Sequence, residues 1–174
     1  IAAAGGLAVT GLAHAQTGCN LDNGYAAGLN AYALEMQTCV AEMAPQNVEL
    51  ADALRDAINQ KRAAAQLTLL KARTSLDPAA QAHGLDMAQR KFVDHVDLEG
   101  RDHLYRIRTL DRTQLTGATG ANVILVPAGL SANDLFERLQ EDEQNRENLT
   151  RDAFTHIGIG LIENSGRLFV TLLF

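Results

Sequence analysis

Two cysteines, Cys19 and Cys39, are all that the 174 residues hold, and the 15 lysines and arginines form no basic cluster against 21 acidic residues. Neutralising a phosphate backbone needs Lys and Arg on one face, so a net charge of -6 of this kind excludes nucleic acid as a partner. It signals a soluble surface instead. There is no G-x-x-x-x-G-K-[ST] loop and no strand-linked G-x-G-x-x-G, which removes the usual phosphate cradles. Ser131 and Ser165 sit at a helix start and in a turn, where a hydroxyl serves the backbone, and neither occupies a nucleophile elbow. Internal repeats and low-complexity linkers are missing too. With 47% hydrophobic residues, what remains suits one ordinary domain with an accessory segment.

The first fifteen residues, IAAAGGLAVTGLAHA, carry no charge and end in Ala13-His14-Ala15, the small-x-small pattern of a signal-peptidase site. They are too few to cross a bilayer comfortably. The expected reading is a cleaved signal peptide with mature Gln16, hence a periplasmic or secreted protein. A retained anchor, with membrane association through residues 1–15, is the alternative. Because the sequence opens at Ile1 rather than Met, a basic region upstream is expected to be missing. In an oxidising compartment an even pair of cysteines points to one disulfide, Cys19 to Cys39. Two thiolates without a histidine pair do not make a structural zinc site, and Gln16 sits where a lipidation signal wants an aliphatic residue.

Residues 16–46 read as a Cys-containing N-terminal extension, with a short helix in ALEMQTCVAEMA ended by Pro45. Such a segment could wrap the domain or meet a partner. From Asn47 a long amphipathic pattern places Leu50, Leu54, Ile58, Ala65 and Leu69 on one face, ending near Ser75. Asp77 as cap and Pro78 at the first helical position predict a second helix running to about His95. A third spans Arg101 to about Leu110, with Leu104 and Ile107 inward and Arg101, Arg106 and Arg108 outward. Ala121 to Pro127 is a short β-rich run. Ser131 with Asp134 makes a capping-box variant opening a fourth helix, Leu135, Leu139 and Phe136 facing in, whose polar end EDEQNRENL reads as solvated. Ile157, Ile159, Leu161 and Leu168, Val170, Leu172 alternate about Glu163-Asn164-Ser165-Gly166, which predicts an antiparallel hairpin.

Ala82-His83, Asp86-Met87-Ala88, Phe92, His95, Gly100-Arg101 and Arg106-Ile107 fall at fixed spacing, as do Asn59-x-x-Arg62, Gly120-Ala121-Asn122, Arg146-x-Asn148 and the final G-I-G and G-R-L-F-V-T. Together they resemble the bacterial CAP superfamily (cysteine-rich secretory, antigen 5 and pathogenesis-related 1 proteins), over residues 47–174. The resemblance implies an α+β fold, a three-layer α-β-α sandwich with the hairpin in its central sheet, which the periodicity allows. It also implies a structural role for Asn59, Arg62, His83, Arg101, Asn122, Arg146 and Asn148, with Asn59 and Arg62 tying their helix to nearby loops. For those two, solvated helix positions are the other reading.

CAP domains of the usual kind bring two histidines and two acids to a groove that can hold a divalent cation, the carboxylates orienting the rings. Here His95 matches the first histidine. Ala121 stands where the acid of the G-E-N element is implied, Asn145 replaces the second histidine, and Asp142 or Glu143 could supply the other acid. The expectation is therefore no metal, no cofactor and no catalytic residue, with His95, Asp142, Glu143 and Asn145 lining a degenerate binding groove. For His95, a lone imidazole without its partners, a residue that only caps or fills a helix end is the other reading. His83 is expected to pack or hydrogen-bond inside its helix, and His103 and His156 match no motif. The functional expectation is a non-catalytic binding module at the cell envelope, for a partner protein, a lipid or a wall component. An accessory subunit of a membrane complex and a hydrolase with an atypical site are the alternatives.

Overall fold

The computed structural model describes residue 19 and residues 29–42, 47–73, 75–110 and 117–174. Residues 1–15, on which the expectation of a signal peptide or anchor rests, and Pro45 lie outside the described residues. The elements run α1 (Leu29–Glu42), α2 (Val48–Ala64), β1 (Lys71–Ala72), α3 (Leu76–Arg90), α4 (His103–Leu110), β2 (Ala121–Pro127), α5 (Ala132–Glu141), α6 (Glu143–Thr150), β3 (His156–Asn164) and β4 (Arg167–Leu173).

The strands form one sheet in the order β1-β3-β4-β2, with β1 parallel to β3 and the other pairs antiparallel. The hairpin of β3 and β4 is its centre, in the register Asn164↔Arg167 to Gly158↔Leu173. Side chains alternate between faces along a strand. On one face Ile157, Ile159, Leu161, Leu168, Val170 and Leu172 pack with Leu54 and Ile58 of α2 and with Leu135, Phe136 and Leu139 of α5. On the other, Ala121 and Leu173 meet Leu76, Ala79, Ala80 and Ile107, while Val123, Ile162 and Phe169 meet Met87 and Ala88. Both faces are covered, and the molecule is an α-β-α sandwich.

Small residues decide how closely α3 approaches the sheet. A Cβ on Gly158 would run into the backbone of Leu76, and one on Gly160 into that of Ala80. A Cβ on Gly84 would meet Ile162 Cγ1 at 2.9 Å. At Gly158 and Gly160 of β3, therefore, the backbone of α3 lies directly on that of the sheet.

Several boundaries differ from the sequence expectation. α2 stops at Ala64, and Ala65 and Leu69 are exposed. α3 starts at Leu76, so Asp77 is no cap: its carboxylate accepts the Ile159 N–H at 2.8 Å, satisfying an outward amide of β3 beyond the two-residue β1. It ends at Arg90, where Lys91 turns left-handed, five residues short of His95. α4 begins at His103, after Asp102 accepts the Tyr105 N–H at 2.9 Å. Arg106 points inward and is fully buried, and Leu104 is only half-buried. The polar run after α5 is a separate helix, capped by Asp142 through the Asn145 N–H, and it buries Asn145, Asn148 and Leu149 rather than fraying into solvent. The Ser131–Asp134 capping box forms in full, and Phe136 faces inward.

Within the N-terminal extension, α1 packs on the domain. Tyr32, Met36 and Cys39 of α1 pack on Ala82, with Leu85 and Tyr105 partly buried beside them. The Cys19–Cys39 disulfide is formed, with the two Cα atoms 4.6 Å apart.

Candidate functional site

The segment from Lys91 to Asp102 carries His95, and buried side chains hold it from beneath. His83, on the inner side of α3, places Nε2 2.8 Å from Asp94 O; since a carbonyl only accepts, this nitrogen carries the proton. Burial, and then the nearby Arg106 charge, push the His83 pKa down to about 3, so the ring stays neutral. Its Nδ1 is buried without a hydrogen-bond partner. Arg106 donates through Nη2 to His95 O at 2.8 Å and through Nη1 to Arg101 O at 2.9 Å. Within the segment, Asp97 Oδ1 accepts the Arg101 N–H at 2.7 Å and the Glu99 N–H at 3.0 Å. Gly100 takes φ 82°, which a side chain would resist. Burial raises the Asp97 pKa above the usual carboxylate range, although these amide bonds oppose the shift.

Arg90 clamps the outer side. It donates to Asp86 at 2.5 and 2.8 Å and to Glu99 at 2.6 and 2.9 Å, a fork bound at both ends. Those bonds lower the Glu99 pKa. His95 itself is half-buried. His103 Nε2 lies 3.2 Å from Thr119 Oγ1, and burial lowers its pKa.

A second group forms where β2 begins. Asn148 on α6 donates to Asn122 Oδ1 at 2.9 Å and to Ala121 O at 3.1 Å. Asn122 in turn donates to Asn145 O at 2.9 Å. All three asparagines are buried. This lock ties α6 to the sheet, and Gly120 lies beside it: a Cβ there would strike the Phe154 ring at 2.6 Å and come within 3.3 Å of Asn148 Oδ1.

Asn59 and Arg62 anchor α2 in the same manner, not as solvated positions. Asn59 exchanges two hydrogen bonds with the Leu70 backbone, at 2.8 and 2.9 Å. Arg62, fully buried, donates only to carbonyls, those of Thr68, Leu149, Arg151 and Phe154.

The residues proposed for a groove are thus dispersed in role. Asn145 is buried, with Oδ1 lacking a partner, and Asp142 spends its carboxylate on the α6 cap. Glu143 is exposed, and Arg146 donates to Gln140 O at 3.0 Å from the surface. No hydrogen bond or ion pair joins His95 to Asp142, Glu143 or Asn145 among the described residues. Ala121, at the implied acid position, packs with Leu76, Ala79, Ala80, Ile107 and Leu173. A carboxylate in that apolar cluster would lose its hydration with nothing to replace it.

These residues do not fit a divalent cation. Among the described residues one group of three candidate ligands comes together, Cys19, Glu35 and Cys39, and its two sulfurs are joined to each other. Sequence reasoning missed Arg106, Asp97 and the Asp86–Arg90–Glu99 clamp. The four-residue spacing of Asp86 and Arg90 was a usable signal for the last.

A profile of the Cysteine-rich secretory protein (CAP) family matches residues 55–174. No curated protein sequence matches the chain. Solved structures with the same fold include an outer surface protein from Borrelia burgdorferi, at 18% identity and TM-score 0.63, covering 74% of this chain and 93% of that one. An extracellular SCP-domain protein from Bacillus anthracis shares 19% identity at TM-score 0.64, over 76% of this chain and 43% of its own. A cysteine-rich secretory protein from Staphylococcus aureus shares 18% identity at TM-score 0.55, over 75% and 40%. This chain therefore spans less than half the length of the last two. Such identities establish the fold alone, and with the profile covering most of the chain, the protein belongs to the CAP family.

Proposed function

We propose that the chain is an exported CAP-domain protein that works at the cell envelope by binding rather than by catalysis. Its contact surface is formed by the segment bearing His95 and by the acidic junction of α5 and α6 at Asp142 and Glu143. A partner protein, a lipid headgroup or a wall component is the class of ligand. The observation that carries the reading is the use made of the family's site positions: Asn122, Asn145 and Asn148 are consumed in a buried amide lock, and Ala121 lies in an apolar cluster. Polar groups used in this way serve the scaffold rather than a reaction, which supports binding as the role. The disulfide, and the extracellular or outer-surface description of two neighbours, support export.

Co-purification of the full chain from native envelope fractions, compared with His95→Ala and with Asp142→Ala/Glu143→Ala, tests this. One species enriched with the wild type and lost with either folded variant is the expected result. Reproducible turnover of a peptide, ester or phosphodiester that His95→Ala abolishes would overturn it.

A further inference from the structure

Residues 19 and 29–42 precede the family-matched region, yet α1 is joined to the loop of His95 by more than chain connectivity. The Arg101 guanidinium packs against the Tyr32 ring of α1 at 4.9 Å and against the Tyr105 ring of α4 at 5.3 Å, and the two rings lie 5.4 Å apart. The main chain of the same Arg101 is woven into the loop: its N–H goes to Asp97 Oδ1 and its carbonyl accepts from Arg106. Whatever fixes Tyr32 therefore restrains Arg101, and with it the 94–101 turn. Tyr32, Met36 and Cys39 form a small cluster separate from the main core, and the Cys19–Cys39 bond closes over it. The two sulfurs are unequal in access, since Cys19 is half-buried and Cys39 fully buried.

We propose that the Cys19–Cys39 disulfide is a redox latch: it holds α1 on α3 and α4 and, through Tyr32 and Arg101, keeps the His95 loop ordered. The co-reactant is a dithiol. Its thiolate attacks Cys19 Sγ, the protein S–S bond breaks, and Cys39 leaves as a thiolate that takes up a proton. The second thiol of the reductant then displaces Cys19, so the protein gains two electrons and two protons and the dithiol becomes a disulfide. The new Cys39 thiol has an acceptor in place, Glu35 Oε1 at 3.9 Å from Sγ. Opening bares the apolar patch of Ala82, Leu85 and Tyr105 and loosens the loop. The latch concerns order alone and does not rest on the binding reading above.

Hydrogen exchange followed by mass spectrometry on the full chain, oxidised and after dithiothreitol, tests it, with two alkylated cysteines certifying reduction. Exchange in both 29–42 and 94–106 is expected to quicken about tenfold or more, with β3 and β4 unchanged. Protection of 94–106 that persists after reduction overturns the proposal. So does faster exchange throughout the sheet, which would make the bond a global staple. With the disulfide intact, Tyr32→Leu should quicken 94–106 while α1 keeps most of its protection. An unaltered loop in that variant removes the coupling through Arg101.

Discussion

Asn148 gives its side-chain amide to Asn122 Oδ1 across the boundary between α6 and β2, and neither group is open to water. With the bonds to Ala121 O and Asn145 O, this pair decides where α6 sits on the sheet. Replacing Asn148 with alanine strands Asn122 Oδ1 and Ala121 O in a buried site. The expected cost is about 2 kcal/mol, within the range for a buried polar group left unpaired. Urea unfolding of the variant against wild type measures it, and an unaltered midpoint would show the lock to be incidental.

Arg62 should matter more. Arg62→Met keeps much of the bulk but abandons the carbonyls of Thr68, Leu149, Arg151 and Phe154. A loss of about 3 kcal/mol or more is expected, since the bonds involve a charged donor and removal leaves several acceptors dry. Thermal unfolding reads it directly. Arg62→Lys, which can reach fewer acceptors, should fall between.

His83 makes stability depend on acid. Its folded pKa is about 3, below the ordinary imidazole value of 6.5, so between those limits the unfolded chain binds the extra proton. The contribution is whole above pH 6.5 and is lost as pH falls toward 3. From this group alone the protein should be about 2–3 kcal/mol less stable at pH 4.5 than at pH 7. Asp77 and Asp97, whose pKa values burial raises, act in the opposite sense over the acid range. His83→Gln isolates the histidine: the slope of stability against pH over this interval should flatten, and an unchanged slope would contradict the assignment.

The approach of α3 to the sheet gives a packing test. In Gly160→Ala the new methyl meets the backbone around Ala80, which cannot swing aside as a side chain could. A destabilisation at the upper end of the usual overpacking range, about 3 kcal/mol, is expected. Gly166→Ala in the hairpin turn meets no atom within 4 Å, though its φ of 72° strains any side chain. It should cost less, about 1 kcal/mol, in parallel chemical denaturation.

Much of this architecture can be read from residue order. Period-two alternation around Glu163-Asn164-Ser165-Gly166 places the hairpin, and Ser131 with Asp134 places the start of α5, because both signals are local. The resemblance supplied the layers. What escaped was set by tertiary contact. His83 and Arg106 bind the carbonyls of Asp94 and His95, which leaves the chain beyond Arg90 an irregular loop despite an apolar pattern that continues the helix to Phe92. Arg106 reads as a solvent-facing cation until that loop is seen to need a buried donor, and Asp77 as a cap until Ile159 is seen to lack a partner strand. The departures at Ala121 and Asn145 were legible, but not that Ala121 lies in a hydrophobic cluster and Asn145 in a buried amide lock.

The most direct test is a zinc titration of the purified, oxidised protein by calorimetry, with metal content checked after dialysis and His95→Ala alongside. The account predicts no stoichiometric zinc and the same trace for both proteins. One equivalent of zinc, retained through dialysis by the wild type and lost by His95→Ala, would contradict it.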